Sequence, residues 1–403
     1  MKEPIKWVTN TMLKTDSVPP MALMTEDAIQ KAWNFHRSFP CYQVTPLVTL
    51  TQLAQRLGIR ALYLKDESYR FNLNAFKVLG GSYAIARFIA QRLGQDISTL
   101  PYEVLISDAV KKKLGDLTFY TATDGNHGRG VAWAANKLHQ NAVVFMPAGS
   151  SHARLQNIVK EGADTRVTEM NYDQTVCFAH EQASQDPHGV MVQDTAWEGY
   201  EEIPGWIMQG YGTMSYEVHQ QLTEYGVSHP THIFIQAGVG SLAGSVQGYF
   251  AQVYKEQPPV VTVVEAAAAD CLYRSAKENK LVSVGGSLQT IMAGLACGEA
   301  NRISWQILKQ HSRYFVSAPD WVAAKGMRVL GAPLLGDRQV ISGESGAVST
   351  GLLTAMLENN DYQDLRETLG LQEDSVVLLF STEGDTDPER YRSILGDGAW
   401  SSV

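Results

Sequence analysis

A lone lysine, Lys77, stands in NAFKVLGGSYA (74–84), flanked by Phe76, Val78 and Leu79 and followed by the Gly80–Gly81 pair. Apolar flanks desolvate an amine, which lowers its pKa and makes it nucleophilic. Taken alone, such a residue also fits a surface lysine with an apolar stem and a solvated head. Farther along, QAGVGSLAG (236–244) follows an apolar run and opens a helix-like segment. Gly238, Gly240 and Gly244 let backbone N–H groups crowd toward an anion, and a helix N-terminus adds positive potential. The loop lacks the lysine of a nucleoside-triphosphate loop, and Ala243 spoils the GxGxxG spacing of a dinucleotide fingerprint. It reads as a cradle for one phosphate, with a tight strand–helix turn as the plain alternative. A nucleophilic lysine beside a monophosphate cradle fits pyridoxal 5′-phosphate, held through its aldehyde and its phosphate.

The surrounding motifs carry a resemblance. LNAFKVLGGSYA resembles the SFKxRGA lysine motif of the fold type II pyridoxal-phosphate enzymes, TDGNHGRGVAWAA their SxGNHxxG substrate loop, and QAGVGSLAG their phosphate loop. Within that superfamily FKVLGG, VQDTAWEGY, IMQGY, IMAGLACGE, ISGESGAV and STEGDTD are similar to the diaminopropionate ammonia-lyase family, in blocks spread between positions 45 and 390. The resemblance implies that Lys77 binds the cofactor as a Schiff base and then takes the α-proton of an L-substrate. It implies that Asn126 bonds the cofactor 3′-oxygen. Thr123, Asp124, Gly125 and His127 would grip the substrate carboxylate, His127 through its backbone. Gly238, Val239, Gly240, Ser241 and Leu242 would hold the phosphate. Thr382 would face the ring nitrogen, with Ser381 next door as the alternative. A hydroxyl there leaves the ring neutral, so rapid expulsion of a β-leaving group is favoured over a long-lived carbanion.

Asp124 is the informative departure, because general dehydratases carry a small residue at this place. An acid beside a substrate carboxylate weakens binding by like-charge repulsion unless it meets a cation. The β-ammonium of 2,3-diaminopropionate supplies one, and the resemblance implies that Asp124 is the base for the D-isomer. A carboxylate capping the helix from Asn126 is the plain alternative. Asp194, at the end of GVMVQD, is a second contact for the substrate amine or else a turn cap. Trp197 and Tyr172 are candidates to close over the substrate, and Glu265 is a secondary cofactor contact. The activity implied is elimination from L- and D-diaminopropionate to pyruvate and two ammonia. A serine/threonine dehydratase and a non-catalytic phosphate-ligand module are the alternatives.

These residues need a scaffold that gathers them. Strand-like runs at 60–67, 117–123, 142–147, 164–169, 189–194, 231–238, 259–266, 313–318 and 375–382 alternate with helix-like segments at 81–93, 126–139, 151–160, 172–184, 206–224, 241–255, 319–330 and 345–357. That alternation argues for α/β architecture with mostly parallel sheets under helices, and the resemblance implies two open twisted domains with the cofactor between them. A large domain of 1–81 plus 185–403 and a small mobile one of 82–184 are expected. The 403 residues carry a net charge of -9, which speaks against nucleic acid or an anionic membrane surface as partner. No apolar run is long enough for a bilayer span, so a cytoplasmic protein with a small amino-acid substrate is expected, as a homodimer by resemblance. Cys41, Cys177, Cys271 and Cys297 read as reduced thiols, a Cys271–Cys297 bridge being the alternative. No histidine or cysteine spacing suits a metal, so none is expected.

Overall fold

The computed structural model describes residues 3–14 and 19–401. Its strands are β1 (Lys6–Thr9), β2 (Leu47–Thr49), β3 (Ala61–Asp66), β4 (Thr118–Ala122), β5 (Asn141–Met146), β6 (Asp164–Val167), β7 (Gly189–Met191), β8 (His232–Gln236), β9 (Val260–Ala266), β10 (Tyr314–Ala318) and β11 (Val376–Ser381). One sheet runs β1-β10-β9-β8-β11-β3-β2 and the other β6-β5-β4-β7. The second is parallel throughout. The first is parallel except at its edges, where β1 and β2 pair antiparallel.

Every residue of β8 (HIFIQ) and β11 (VVLLFS) is buried. Ile233, Ile235, Leu378 and Phe380 pack into one core, while Phe234, Val377 and Leu379 pack into the other. Two-sided burial explains the uninterrupted apolar runs, since alternating strands would expose one face to water. All nine expected strands form. The edge strands β1 and β2 were not expected, because they are too short to show a period. Nor were the helices Glu26–Arg37, Cys271–Glu278 and Arg302–His311. β7 pairs with β4, so the four-stranded sheet runs on past residue 184 into the stretch assigned to the larger unit.

The helix Val78–Leu93 is wedged between Asn126–Lys137 and Glu202–Glu224. A Cβ on Gly80 would lie 2.5 Å from Tyr211 Cε1, and one on Gly130 would lie 2.7 Å from Val78 Cα. The glycines beside Lys77 therefore let three helices meet at backbone distance just where the lysine emerges. Among the described residues no helix is long and apolar enough to cross a membrane.

Candidate active site

Residues that follow the carboxyl ends of β3, β4, β7, β8 and β11 share one cleft, where ligands sit in open α/β sheets. Its wall includes Lys77, Asn126, Asp194, the run from Gly238 to Leu242, and Thr382. Sequence reasoning named all of these from separate motifs. Thr123, Asp124, Gly125 and His127 stand beside Asn126 but do not form part of that wall.

Lys77 Nζ is 2.8 Å from Asp194 Oδ2, with the two side chains 18% and 3% exposed. Burial alone would lower the lysine pKa. The Asp194 carboxylate, with smaller help from Tyr211 and Asp124, outweighs burial and holds the ammonium well above the usual lysine range. The expected depression from apolar flanks is thus overturned, because the partner acid lies 117 positions away in sequence. Burial pushes Asp194 upward, but Lys77 and His127 dominate and hold it at about 2. The pair is a charged, nearly dry contact. Lys77 can act as a nucleophile once its proton passes on and Asp194 takes another partner.

The glycine loop is built as a cradle. Gly240 has φ +95, a left-handed backbone, and caps the helix Ser241–Val253. A Cβ there would also lie 2.9 Å from Ser304 Oγ. The first-turn N–H groups of this helix lack intrahelical acceptors and face the cleft end. Ser241 Oγ donates to the Asp194 carbonyl at 2.5 Å and accepts from Asn301 Nδ2 at 2.8 Å. Its hydroxyl is therefore committed to tying the loop to Asp194, and its backbone N–H is what it offers an anion.

Thr382 and Ser381 are separated by geometry. Ser381 Oγ donates to Ser342 Oγ at 2.8 Å, whereas Thr382 lines the cleft. Gln236 Nε2 donates to Thr382 Oγ1 at 2.9 Å. With that lone pair used, the threonine proton is free to be donated into the cleft, which suits an unprotonated pyridine nitrogen.

Asn126 Nδ2 donates to Glu383 Oε2 at 2.5 Å, linking the four-stranded sheet's first helix to the end of β11. Asp124 does not cap that helix. The N-cap is Gly125 without a side-chain bond, and Thr123 Oγ1 accepts the Gly125 N–H at 2.9 Å. Asp124 Oδ2 instead stands 3.7 Å from Arg154 Nη1. His127 Nε2 donates to the Val192 carbonyl at 2.9 Å, which leaves Nδ1 bare 4.0 Å from Asp194. Burial lowers the His127 pKa and keeps the ring neutral.

Several functional neighbours escaped sequence reasoning. Tyr211 OH and Ser345 Oγ are buried, line the cleft, and have no hydrogen-bond partner. Buried hydroxyls without partners are uncommon, and these two lie where a ligand in the cleft would meet them. Ser345 lies in ISGESGAV and Tyr211 closes IMQGY, two blocks of the resemblance in which neither residue was given a role; Arg154 carried no local signal. Glu265 caps the helix Cys271–Glu278 through the Leu272 and Tyr273 N–H groups, rather than lining the cleft. Trp197 stacks on Tyr200 at 4.3 Å, and Tyr172 OH accepts from Gln193 Nε2 at 2.9 Å, so neither lines the cleft. All four cysteines are free, so no Cys271–Cys297 bridge forms.

The orphaned hydroxyls, the Gly240 cradle and the single amine fit a phosphate-bearing aldehyde. Residues 39–382 match the family described as pyridoxal-phosphate dependent enzymes. The chain belongs to that family. Among pyridoxal-phosphate dependent enzymes it is 49% identical to diaminopropionate ammonia-lyase of Salmonella typhimurium, over 99% of each chain. It superposes with a TM-score of 0.91 on diaminopropionate ammonia-lyase from Escherichia coli in complex with an aminoacrylate-PLP azomethine reaction intermediate, at 46% identity over 99% of each chain. The same Escherichia coli enzyme in complex with D-serine gives 0.92, again at 46% identity and 99% of each chain. The two-sheet architecture is fold type II, as the motifs implied.

Proposed function

We propose that this chain is a carbon–nitrogen lyase that converts 2,3-diaminopropionate, as L- and D-isomers, with one water, to pyruvate and two ammonia. Its cofactor is pyridoxal 5′-phosphate, which when bound supplies an aldehyde that condenses with amines and a ring that spreads charge from the α-carbon. The observation that carries the reading is the Lys77–Asp194 pair at 2.8 Å in the cleft that also holds the Gly238–Leu242 cradle.

Each residue then has a task. The backbone from Gly238 to Leu242 holds the phosphate, Thr382 donates to the ring nitrogen, and Asn126, fixed by Glu383, orients the ring oxygen. The loop Thr123–His127 takes the substrate carboxylate. Lys77 Nζ removes the α-proton of the L-isomer, and Asp124 that of the D-isomer from the opposite face. Asp194, released from Lys77, turns to the departing amine. The unit around the four-stranded sheet, centred on 82–184, closes the cleft and excludes water. The Asn126–Glu383 bond, which spans the two units, supports that reading. A homodimer in the cytoplasm is part of the same proposal, supported by the resemblance.

Pyruvate release is to be measured from both isomers, with L-serine as control. Wild type is expected to prefer diaminopropionate over serine. Asp124→Asn is expected to cut D-isomer turnover by at least about a hundredfold, the usual size of a lost general base, with a far smaller loss for the L-isomer. Equal losses reject the division by face, and faster serine turnover makes the chain a dehydratase.

A further inference from the structure

Arg154 has no assigned part, yet its placement is specific. It lies on the helix His152–Val159 and is 9% exposed. Its Cδ sits where a Cβ on Gly125 would come within 3.0 Å, so the glycine makes room for the arginine stem to cross the 123–127 loop. Nη1 stands 3.7 Å from Asp124 Oδ2. Among the described residues the guanidinium makes no hydrogen bond. Glu383, Glu344 and Asp387 are close enough to act on its charge, and Arg390 Nε is 3.9 Å from Glu344.

We infer that Arg154 is the built-in counter-ion of Asp124, a positioning residue that lets an acid share the loop with the substrate carboxylate. The inference rests on the reading of 123–127 as the carboxylate grip. Without a cation, Asp124 and the incoming carboxylate repel each other. A substrate β-ammonium offsets the acid only after it has arrived, whereas Arg154 offsets it beforehand. A largely buried arginine is costly to keep unless its charge is used, and among the described residues Asp124 is the acid within 4.0 Å of it. The cation that an acid at position 124 requires is therefore held by the protein itself.

L-Alanine isolates this effect, because it has the carboxylate but no β-ammonium and no β-leaving group. Its dissociation constant is read from the absorbance change of the cofactor-loaded enzyme, without turnover. Arg154→Met is expected to weaken alanine at least about tenfold. Adding Asp124→Asn to that variant is expected to bring affinity back to within about threefold of wild type, and Arg154→Lys to keep it there. Asp124→Asn alone is expected to tighten alanine by about threefold or more, since the acid nearest to Arg154 no longer offsets its charge. That arm needs no change at Arg154 and survives a misfolded Arg154→Met. A double variant as weak as Arg154→Met, or an Asp124→Asn no tighter than wild type, overturns the inference. Failure of the D-isomer assay with these arms intact would instead remove Asp124 as the base.

Discussion

Lys77→Ala is expected to lower pyruvate release from both isomers by at least about a thousandfold and to abolish the visible absorbance of the bound cofactor. Among the residues that line the cleft, Lys77 is the one primary amine. Asp194 and the hydroxyls of Tyr211, Ser345 and Thr382 cannot bond an aldehyde as an amine does. The variant carries a second signature. In wild type the folded Asp194 titrates at about 2, below its ordinary 3.8. A depressed carboxylate contributes stability that is present above its unfolded pKa and lost as pH falls through the folded value. That contribution is therefore lost between about pH 4 and 2, and it comes mainly from Lys77. Removing the lysine should flatten stability against pH in that window. Full turnover in the variant, or an unchanged acid limb, would contradict the geometry.

Glu217→Ala is expected to cost about 3–5 kcal/mol of stability, as removing one member of a buried ion cluster does. Glu217 Oε2 is 2.7 Å from Lys65 Nζ and 2.8 Å from Arg70 Nη2. Arg70 Nε also meets Glu67 Oε2 at 2.8 Å, and Tyr42 OH donates to Glu217 Oε1 at 2.6 Å. All four charged side chains are at most 1% exposed. Burial alone would raise the Glu217 pKa, but Arg70 and Lys65 outweigh it and hold the carboxyl well below its usual range. Without Glu217 two buried cations share the single acid Glu67. The cluster also clamps the chain that delivers Lys77. Phe71, Asn72 and Asn74 have φ of 49, 59 and 59, left-handed backbone that non-glycine residues adopt at a cost. Arg70 and Glu67 brace one end of that turn. Weaker cofactor binding should accompany the loss in a urea titration; a loss under about 1 kcal/mol would show the charges to be solvated rather than clamped.

The scaffold was legible because two-sided burial writes itself as continuous apolar runs, as in β8 and β11. The short edge strands β1 and β2 left no such signature. The cleft wall was legible at Lys77, Asn126, Gly238 to Leu242 and Thr382, where short motifs sit at strand ends. What stayed hidden depends on pairs distant in sequence. Asp194 reverses the expected direction of the Lys77 pKa, Glu383 fixes Asn126, and Arg154 answers Asp124. No local pattern announces such partners. Tyr211 closes the IMQGY block, but nothing in that motif says that its hydroxyl lines the cleft. Its hydroxyl becomes conspicuous only when the fold leaves it without an acceptor. The helix-cap alternative for Asp124 failed for a reason that only coordinates expose, since Gly125 is the N-cap without a side-chain bond and the Asp124 carboxylate stands by Arg154 instead.

The most direct test reduces the yellow holoprotein with borohydride, digests it, and locates the phosphopyridoxyl group by mass spectrometry. It is expected on the peptide carrying Lys77 and nowhere else. Attachment to another lysine, or no attachment in a protein that still releases pyruvate, would contradict the assignment of this cleft.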